Sequence, residues 1–148
     1  MFNLIEYLYL KQPNNLVYYD SLTTIHSRQY YDRVIKTKYI PYDCIVIMLD
    51  IDDLKVINDT QGHNEGSKLI KRVAENIKSI EPLDCARYGG DEFIVILKSE
   101  AYDKLEQLNK IPKVSMGYYE KEAYEDLSSA IKKADELMYK HKKEGKKK

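Results

Sequence analysis

The hydrophobic pattern of the chain alternates between stretches typical of strands and stretches typical of helices. Residues 44–49 read Cys-Ile-Val-Ile-Met-Leu and end directly in Asp50, a pattern that predicts a strand buried on both faces. Within 63–79, apolar residues recur at the spacing of one helical face, which predicts a helix packed on a sheet. The full set of predicted elements is helix 27–39, strand 44–49, helix 63–79, strands 84–88 and 93–97, helix 102–108, strand 113–118 and helix 127–142.

The order of these elements predicts the fold class. In chain order they form β-α-β-β-α-β followed by a helix, which is the order of a ferredoxin-like palm. We therefore expect an α+β domain over 20–148, with an antiparallel central sheet flanked by helices. Residues 1–19 are predicted to be an N-terminal helical segment or connector. Between two of the strands, Gly89-Gly90 permits positive φ and favours a tight hairpin.

Length and composition narrow the protein class. The chain has 148 residues, 43% hydrophobic and 32% charged, which suits one globular domain. No apolar run approaches the roughly 18 residues of a membrane span, so membrane insertion is not expected. Cys44 and Cys85 lie far apart in apolar runs, which is typical of buried thiols in a reducing compartment. We therefore expect a cytoplasmic protein.

The charge is balanced overall and uneven along the chain. There are 24 basic and 24 acidic residues, which argues against stable binding to nucleic acid through a strongly basic surface. Residues 131–148 carry eight lysines and three acids, a net charge of +5, so the rest carries −5. Such a basic C-terminus is commonly a solvated end unless an anion is found for it to hold.

Two short acidic segments are candidates for chemistry. Asp50-Ile51-Asp52-Asp53 follows the buried strand directly, and a period of two places Asp50 and Asp52 on one face. Carboxylates suit Mg²⁺, which takes one or two of them and completes its shell with water and phosphate oxygens. A polar exit from a strand is the alternative, and it would be preferred for an isolated motif of this kind. The second segment, Gly89-Gly90-Asp91-Glu92, presents acids at a turn.

If the two strands are neighbours in one sheet, Asp50 and Asp91 converge. That arrangement is the two-carboxylate geometry of two-metal phosphoryl and nucleotidyl transfer. The pair is much more specific than either segment alone.

Together the two segments resemble the GGDEF family of nucleotide cyclases. The resemblance is carried by Tyr88-Gly89-Gly90-Asp91-Glu92-Phe93 and by the segment 50–63, which reads Asp-Ile-Asp-Asp-Leu-Lys-Val-Ile-Asn-Asp-Thr-Gln-Gly-His. It covers about residues 20 to 147. Further matches are Asp20-Ser21-Leu22-Thr23, Arg28, Val114-Ser115-Met116-Gly117, Ala134-Asp135, Tyr139, Lys142 and Gly145.

This resemblance implies a reaction and a set of site residues. The 3′-hydroxyl of one nucleoside triphosphate would attack the α-phosphate of another and release pyrophosphate, twice across a homodimer. Asp50, Asp91 and the carbonyl of Ile51 would bind two Mg²⁺ or Mn²⁺ ions per active site, and Glu92 would lie near the attacking hydroxyl. The nucleotide-binding positions so implied are Asp52, Asp53, Leu54, Lys55, Asn58, Ser67, Gly89, Gly90, Lys142 and Lys146.

Several of these positions have a more specific implied role. The backbone amides of 52–54 would wrap the β and γ phosphates, as anion-binding backbone segments do. Lys142 and Lys146 would hold triphosphate oxygens, and Asn58 would bind the purine edge. Ser67 stands where the family usually has the aspartate that accepts hydrogen bonds from guanine. Serine can donate or accept, and its presence resembles a promiscuous subgroup that uses ATP and GTP and makes cyclic GMP-AMP. Alternatively, Ser67 is only a helix N-terminal residue.

Other departures from the family pattern leave alternatives open. The inhibitory Arg-x-x-Asp motif is replaced by Ile80-Glu81-Pro82-Leu83, so product inhibition through that site is not expected. The segment between Phe93 and Val114 is short, which also resembles minimal CRISPR-type polymerases that make cyclic oligoadenylates. Few residues precede Asp20, so dimerisation would depend on the N-terminal segment, the substrate or a regulatory partner protein. A catalytically silent module that binds a nucleotide or a cyclic dinucleotide is the other alternative.

Overall fold

A computed structural model describes residues 4–5 and 15–146 of the chain. Most of the predicted segment 1–19 lies outside the described residues, and Asn15–Tyr18 form one turn of 3₁₀-helix. The strands are β1 (Cys44–Ile51), β2 (Asp84–Arg87), β3 (Glu92–Lys98) and β4 (Val114–Lys121). The helices are α1 (28–38, with a π-helical stretch at Tyr31–Ile35), α2 (Leu54–Gln61), α3 (His63–Ser79), α4 (Tyr102–Asn109) and α5 (Leu127–Lys146).

The four strands form one antiparallel sheet in the order β2-β3-β1-β4. This is the strand order of the ferredoxin-like palm, so the predicted α+β fold is confirmed. Strand β1 lies in the interior of the sheet, between β3 and β4. At its C-terminal end, Asp50 stands opposite Glu92 of β3 on one side and opposite Ser115 of β4 on the other.

The side chains of β1 alternate between two hydrophobic cores. Ile47 and Leu49 pack in the core that contains α3 and α4, whereas Val46 and Met48 pack in the core that contains α1 and α5. All four are buried, as the unbroken apolar run predicts for a strand covered on both faces. Because side chains two residues apart share a face, Asp50 continues the second set and lies on the α5 side.

Helix α5 lies directly on strand β4 at Gly117. A Cβ atom at this position would stand 2.2 Å from the carbonyl oxygen of Ala134 and 2.2 Å from the backbone nitrogen of Met138. Both neighbours are backbone atoms, which cannot move away as a side chain can. The missing side chain therefore sets how closely α5 approaches the sheet.

Two local features differ from what the patterns alone indicate. Helix α2 was not predicted: Leu54 and Ile57 pack against the core, but none of its residues is fully buried and Val56 is exposed, so its apolar period is short. The tight hairpin predicted at Gly89-Gly90 joins β2 and β3, but without the positive φ that glycine permits, since Gly62 is the glycine with positive φ among the described residues. A Cβ at Gly89 would instead meet Oε1 of Glu92 at 2.7 Å. The first glycine therefore makes room for the Glu92 side chain.

Both cysteines are free and buried, as predicted. Burial raises the pKa of Cys44 to about 11 and that of Cys85 to about 12. Both thiols are therefore protonated at neutral pH and weakly reactive. Within the described part of the chain, the helices are too short or too polar to cross a lipid bilayer.

Candidate functional site

The end of β1 brings the predicted acidic residues together. Asp50 is paired in register with Glu92, and the backbone N–H of Ile51 donates to the carbonyl of Asp91 at 2.9 Å. The turn between β2 and β3 is closed by hydrogen bonds from Tyr88 and Gly89 to the Glu92 carbonyl, at 2.8 and 3.2 Å. The two acidic segments therefore meet although 35 residues, 54–88, separate them in the sequence.

The Asp50 carboxylate is buried and only half satisfied. Asp50 is 8% exposed, and its Oδ2 accepts a hydrogen bond from Nζ of Lys142 at 2.9 Å. Among the described residues, its Oδ1 is buried without a hydrogen-bond donor. A buried carboxylate oxygen without a donor is costly and uncommon in folded proteins.

The surrounding charges shift the acid–base behaviour of the site. Burial raises the pKa of Asp50 to about 6, and the charge of Asp91 adds to this, although the hydrogen bond from Lys142 acts in the opposite direction. Burial and the charge of Asp91 also raise the pKa of Glu92. Burial disfavours the charged form of Lys142, but the hydrogen bond to Asp50 and the charges of Asp50, Asp52 and Asp91 together outweigh this, and the pKa of the lysine is raised. The site is thus a group of crowded carboxylates with one inserted ammonium.

These residues fit a divalent ion that arrives with phosphate oxygens. Within residues 4–5 and 15–146, no group of three or more His, Cys, Asp or Glu side chains forms a complete metal site. Mg²⁺ needs no such group, because it uses one or two protein carboxylates and fills its shell with water and substrate phosphates. The unpartnered Oδ1 of Asp50, beside Asp91, is an oxygen of the required kind.

The connection from β1 to α2 is held in place by β4. Strand β1 ends at Ile51, but the Asp52 side chain lies on the same side as Asp50, as predicted, because it contacts Ser115, the residue paired with Asp50. The Asp52 amide donates to the Lys113 carbonyl at 2.7 Å, and Oγ of Ser115 donates to Oδ1 of Asp52 at the same distance. The predicted contact of the Asp52 amide with phosphate would require this bond to break, because the N–H is already used. Asp53 adopts the left-handed conformation, with φ of 56°.

The amides at the start of α2 lack a side-chain cap. No side chain accepts a hydrogen bond at this N-terminus, where Asp53 is the capping position. The first N–H groups of a helix have no intrahelical partner, and they commonly bind anions. Of the predicted phosphate-binding amides, those of Asp53 and Leu54 stay candidates.

Asn58 and Ser67 come from neighbouring helices. A Cβ at Gly66 of α3 would stand 1.8 Å from Oδ1 of Asn58, so this glycine leaves the space in which the Asn58 amide lies. Ser67 is the next residue and is half-buried. Since α3 begins at His63, Ser67 lies more than one turn inside the helix. The alternative that it is only an N-terminal capping residue is therefore wrong.

The other predicted residues occupy varied positions. Lys55 is exposed on α2, and Gly90 is exposed at the turn, where its carbonyl accepts from Arg87 at 2.9 Å. Lys146 is the last described residue of α5, and its side chain lies outside the description.

Two residues of the site were quoted in the family resemblance without a role. Ser115 holds Asp52, as described above. Arg28 donates to the Tyr88 carbonyl at 3.2 Å, and its guanidinium lies 3.7 Å from the centre of the Tyr88 ring. The positive charge of Arg28 also lowers the pKa of Glu92, against the larger effect of burial. The family resemblance included both residues. It did not indicate their contacts, because the residues that they contact lie far away in the sequence.

Comparison with known proteins identifies a family for most of the chain. Residues 17–111 match the model of the family described as "Diguanylate cyclase, GGDEF domain". The probable diguanylate cyclase DgcT of Escherichia coli (strain K12) is 42% identical over 95 residues, which are 60% of this chain and 21% of DgcT. The GGDEF domain of DgcB from Caulobacter crescentus, solved in complex with c-di-GMP, is 28% identical with a TM-score of 0.77, covering 86% of this chain and 91% of that domain.

The matched region is a small part of the curated relatives. The signaling protein YkoW of Bacillus subtilis (strain 168) is 36% identical over 99 residues, which are 62% of this chain and 12% of YkoW. The chain spans 12% to 30% of the length of the first three relatives. Strand β4 and helix α5, which carry Ser115 and Lys142, follow the residues matched by the family model.

Proposed function

The chain belongs to the GGDEF family of diguanylate cyclases, and from that premise we propose that it is a metal-dependent cyclic dinucleotide synthase. It joins two nucleoside triphosphates by attack of a 3′-hydroxyl on an α-phosphate, with release of pyrophosphate. The observation that carries this proposal is the buried Asp50 carboxylate, with one oxygen on Lys142 and the other without a partner. A purely structural aspartate would gain stability from a donor at that second oxygen.

The acids at the end of β1 and at the turn have separate roles. Asp50, Asp91 and the carbonyl of Ile51 bind Mg²⁺ or Mn²⁺, two ions per active site. When bound, the ions supply charge stabilisation for the transferring phosphoryl group and orient it for in-line attack. Glu92 stands beside this centre on β3 and lies near the attacking hydroxyl. Burial, and next the charge of Asp91, raise the pKa of Glu92, which favours its protonated form relative to an exposed glutamate.

Positive charge and backbone amides hold the triphosphate. Lys142 reaches the Asp50 carboxylate from α5 and can also reach an anion bound there. The uncapped amides of Asp53 and Leu54 face the β and γ phosphates, and Lys55 of the same turn adds a positive charge. Lys146 follows Lys142 by one helical turn and contributes a second cation. Gly89 and Gly90 allow the substrate to approach the turn closely.

The choice of base depends on Asn58 and Ser67. Asn58 binds the purine edge from the space that Gly66 leaves open. Ser67 replaces the carboxylate with a hydroxyl that donates or accepts, so it accommodates adenine as well as guanine. We therefore propose that the protein uses both GTP and ATP and forms cyclic GMP-AMP among its products. Loss of a charged hydrogen-bond partner to a base edge costs a few kcal/mol of selectivity, roughly 1.5–3.

Assembly and inhibition follow from the same reaction. Cyclisation requires two active sites face to face, so the active form is a homodimer of the domain over 20–148. The segment 1–19 or a regulatory partner aligns the two copies. Because Ile80-Glu81-Pro82-Leu83 provides no arginine–aspartate pair, product inhibition through that site is absent. Triphosphate substrates and two buried free thiols suit the cytoplasm.

A product assay tests the proposal. The protein is incubated with Mg²⁺ and GTP, ATP or both, and products are identified by mass. We expect a cyclic dinucleotide, with cyclic GMP-AMP in the mixture. Ser67→Asp is the matched variant for base choice and should shift the product toward cyclic di-GMP. An unchanged product ratio would remove the role given to Ser67.

The same assay separates the alternatives. Cyclic oligoadenylates from ATP alone would identify the CRISPR-polymerase-like activity. Nucleotide binding without any phosphodiester product, measured by calorimetry, would identify a silent binding module. Both outcomes would contradict the proposed synthase.

A further inference from the structure

Lys142 occupies the position of a counter-ion in the carboxylate centre. Its Nζ lies 2.9 Å from Oδ2 of Asp50, and the lysine side chain is 26% exposed, compared with 11% for the aspartate. The negative charges of Asp52 and Asp91 act on the same ammonium. One positive charge is thus surrounded by three carboxylates from the end of β1 and the turn.

The same ammonium competes with a divalent ion. A cation hydrogen-bonded to Asp50 takes one of the carboxylate oxygens and repels a second cation nearby, and this repulsion is strong where water is partly excluded. A metal ion that binds Asp50 and Asp91 must therefore displace Lys142 or share the carboxylate with it. Displacement is costly unless the lysine gains another anion, because a half-buried ammonium without a partner is destabilised.

We propose that Lys142 is the resident counter-ion of Asp50, which excludes free divalent ions until a nucleoside triphosphate gives its ammonium another anion to bind. The inference rests on the proposed function, since it assigns the metal to the Asp50 centre and the triphosphate to Lys142. In the exchange the lysine moves from carboxylate to phosphate oxygens, and the metal replaces it at Asp50. Metal and nucleotide therefore promote each other's binding, by equal factors.

The test measures Mn²⁺ binding without turnover. Free Mn²⁺ is followed by electron paramagnetic resonance during titration of the nucleotide-free protein, for wild type, Lys142→Met and Lys143→Met. Lys143 is the matched control, because it is the next lysine on the same helix and its Nζ lies 5.6 Å from the Tyr139 ring centre. We expect Lys142→Met to bind Mn²⁺ about tenfold more tightly than wild type, as removal of a charged hydrogen-bonded competitor implies. Lys143→Met should bind like wild type.

In a second titration, with nucleotide present, the effect of Lys142→Met on Mn²⁺ affinity should be the opposite. With a non-hydrolysable GTP analogue present, Lys142→Met should bind the analogue and Mn²⁺ more weakly than wild type, since the triphosphate loses its cation. Lys142→Arg keeps the positive charge, so without nucleotide it should bind Mn²⁺ as weakly as wild type. Lys142→Gln serves as the neutral variant if circular dichroism shows that the methionine variant does not fold.

Equal or weaker Mn²⁺ affinity of a folded neutral variant, without nucleotide, would overturn the inference. This outcome is distinguishable from failure of the proposed function. The titration requires no product, so counter-ion exclusion can be found in a chain that makes no dinucleotide. Conversely, a working synthase whose neutral variants bind free Mn²⁺ no more tightly would disprove only the exclusion.

Discussion

Two buried aspartates on the same sheet differ in how their carboxylates are satisfied. Asp84 begins β2 and is 7% exposed, and Asp50 near the end of β1 is 8% exposed. The Oδ2 of Asp84 accepts from the Tyr39 hydroxyl at 2.9 Å and from Lys38 at 3.4 Å, while its Oδ1 faces His26 at 3.8 Å. At Asp50, Lys142 donates to Oδ2, and Oδ1 has no donor within the described part of the chain.

This difference separates a structural site from a chemical one. Burial raises the pKa of both carboxyls, so burial alone does not distinguish them. Asp84 is surrounded by donors and cations, whereas Asp50 also has the acids Asp91 and Glu92 as neighbours. A carboxylate that the fold leaves incompletely satisfied, beside other acids, is available to a ligand with positive charge.

The largest expected effect is the loss of turnover in Asp50→Asn. Asparagine keeps the shape but removes the charge that we propose binds the metal, so we expect product formation to fall by about 10³-fold, as with other losses of charge stabilisation. Pyrophosphate release at equal protein concentration measures this. Stability should be unchanged or raised, because Oδ1 of Asp50 has no donor among the described residues and the like charge of Asp91 lies beside it, unlike at Asp84. Activity near that of wild type would contradict the assignment.

Asp84→Asn should show the opposite pattern. The change removes the charge to which Lys38 and Tyr39 donate, and a hydrogen-bonded buried charge contributes roughly 1.5–3 kcal/mol to the free energy of unfolding. Urea denaturation measures the loss, with Asp50→Asn as the matched control. Turnover per folded molecule should stay at the wild-type value. If Asp84→Asn lost turnover without losing stability, the division between the two sites would be wrong.

The pH dependence of stability should distinguish wild type from Asp50→Asn. The pKa of Asp50 in the fold, about 6, lies above its ordinary value of 3.8. A carboxyl with a raised pKa stabilises the fold at low pH, and this contribution is lost as pH rises through that window. Wild type should therefore lose stability relative to Asp50→Asn between pH 4 and pH 7, without metal. Asp84 is present in both proteins, so its own titration cancels in the comparison. If the free energies of unfolding of the two proteins changed in parallel across this range, the raised pKa of Asp50 would be contradicted.

The smallest expected effect is that of Tyr39→Phe. The variant removes the 2.9 Å hydrogen bond to Asp84 and leaves the Lys38 and His26 contacts. A single hydrogen bond contributes about 1 kcal/mol, or somewhat more when the acceptor is charged. Thermal unfolding measures the change, which should be smaller than that of Asp84→Asn. A loss as large as that of Asp84→Asn would mean that the hydroxyl, rather than the charge, holds this site.

The central strand and the acidic turn could be predicted because their patterns are local. The apolar run 44–49 identifies a buried strand by itself, and the 3.6-residue period identifies α3. The convergence of Asp50 and Asp91 was inferred from the assumption that the two strands are neighbours, which the register of β1 with β3 confirms. Helix α2 was missed because no residue of it is fully buried.

The contacts that distinguish the two aspartates are not local. Lys142 is 92 residues from Asp50, and Tyr39 is 45 residues from Asp84. The family resemblance implied a phosphate-binding role for Lys142 but not its ion pair. No motif marked Asp84. Its partners are Lys38 of α1 and the residues His26 and Tyr39, which lie just before and just after that helix. Such pairings depend on how the helices pack against the sheet, and that packing cannot be inferred from a single sequence.

The most direct test of the central claim is the position of a bound metal ion. A crystal of the wild-type protein with Mn²⁺ and a non-hydrolysable GTP analogue gives that position from anomalous scattering. We expect a peak within coordination distance of phosphate oxygens and of the Asp50 carboxylate, near Asp91, with Nζ of Lys142 on the triphosphate. A bound nucleotide with no metal at Asp50, and with the ion pair of Lys142 and Asp50 still intact, would contradict the claim.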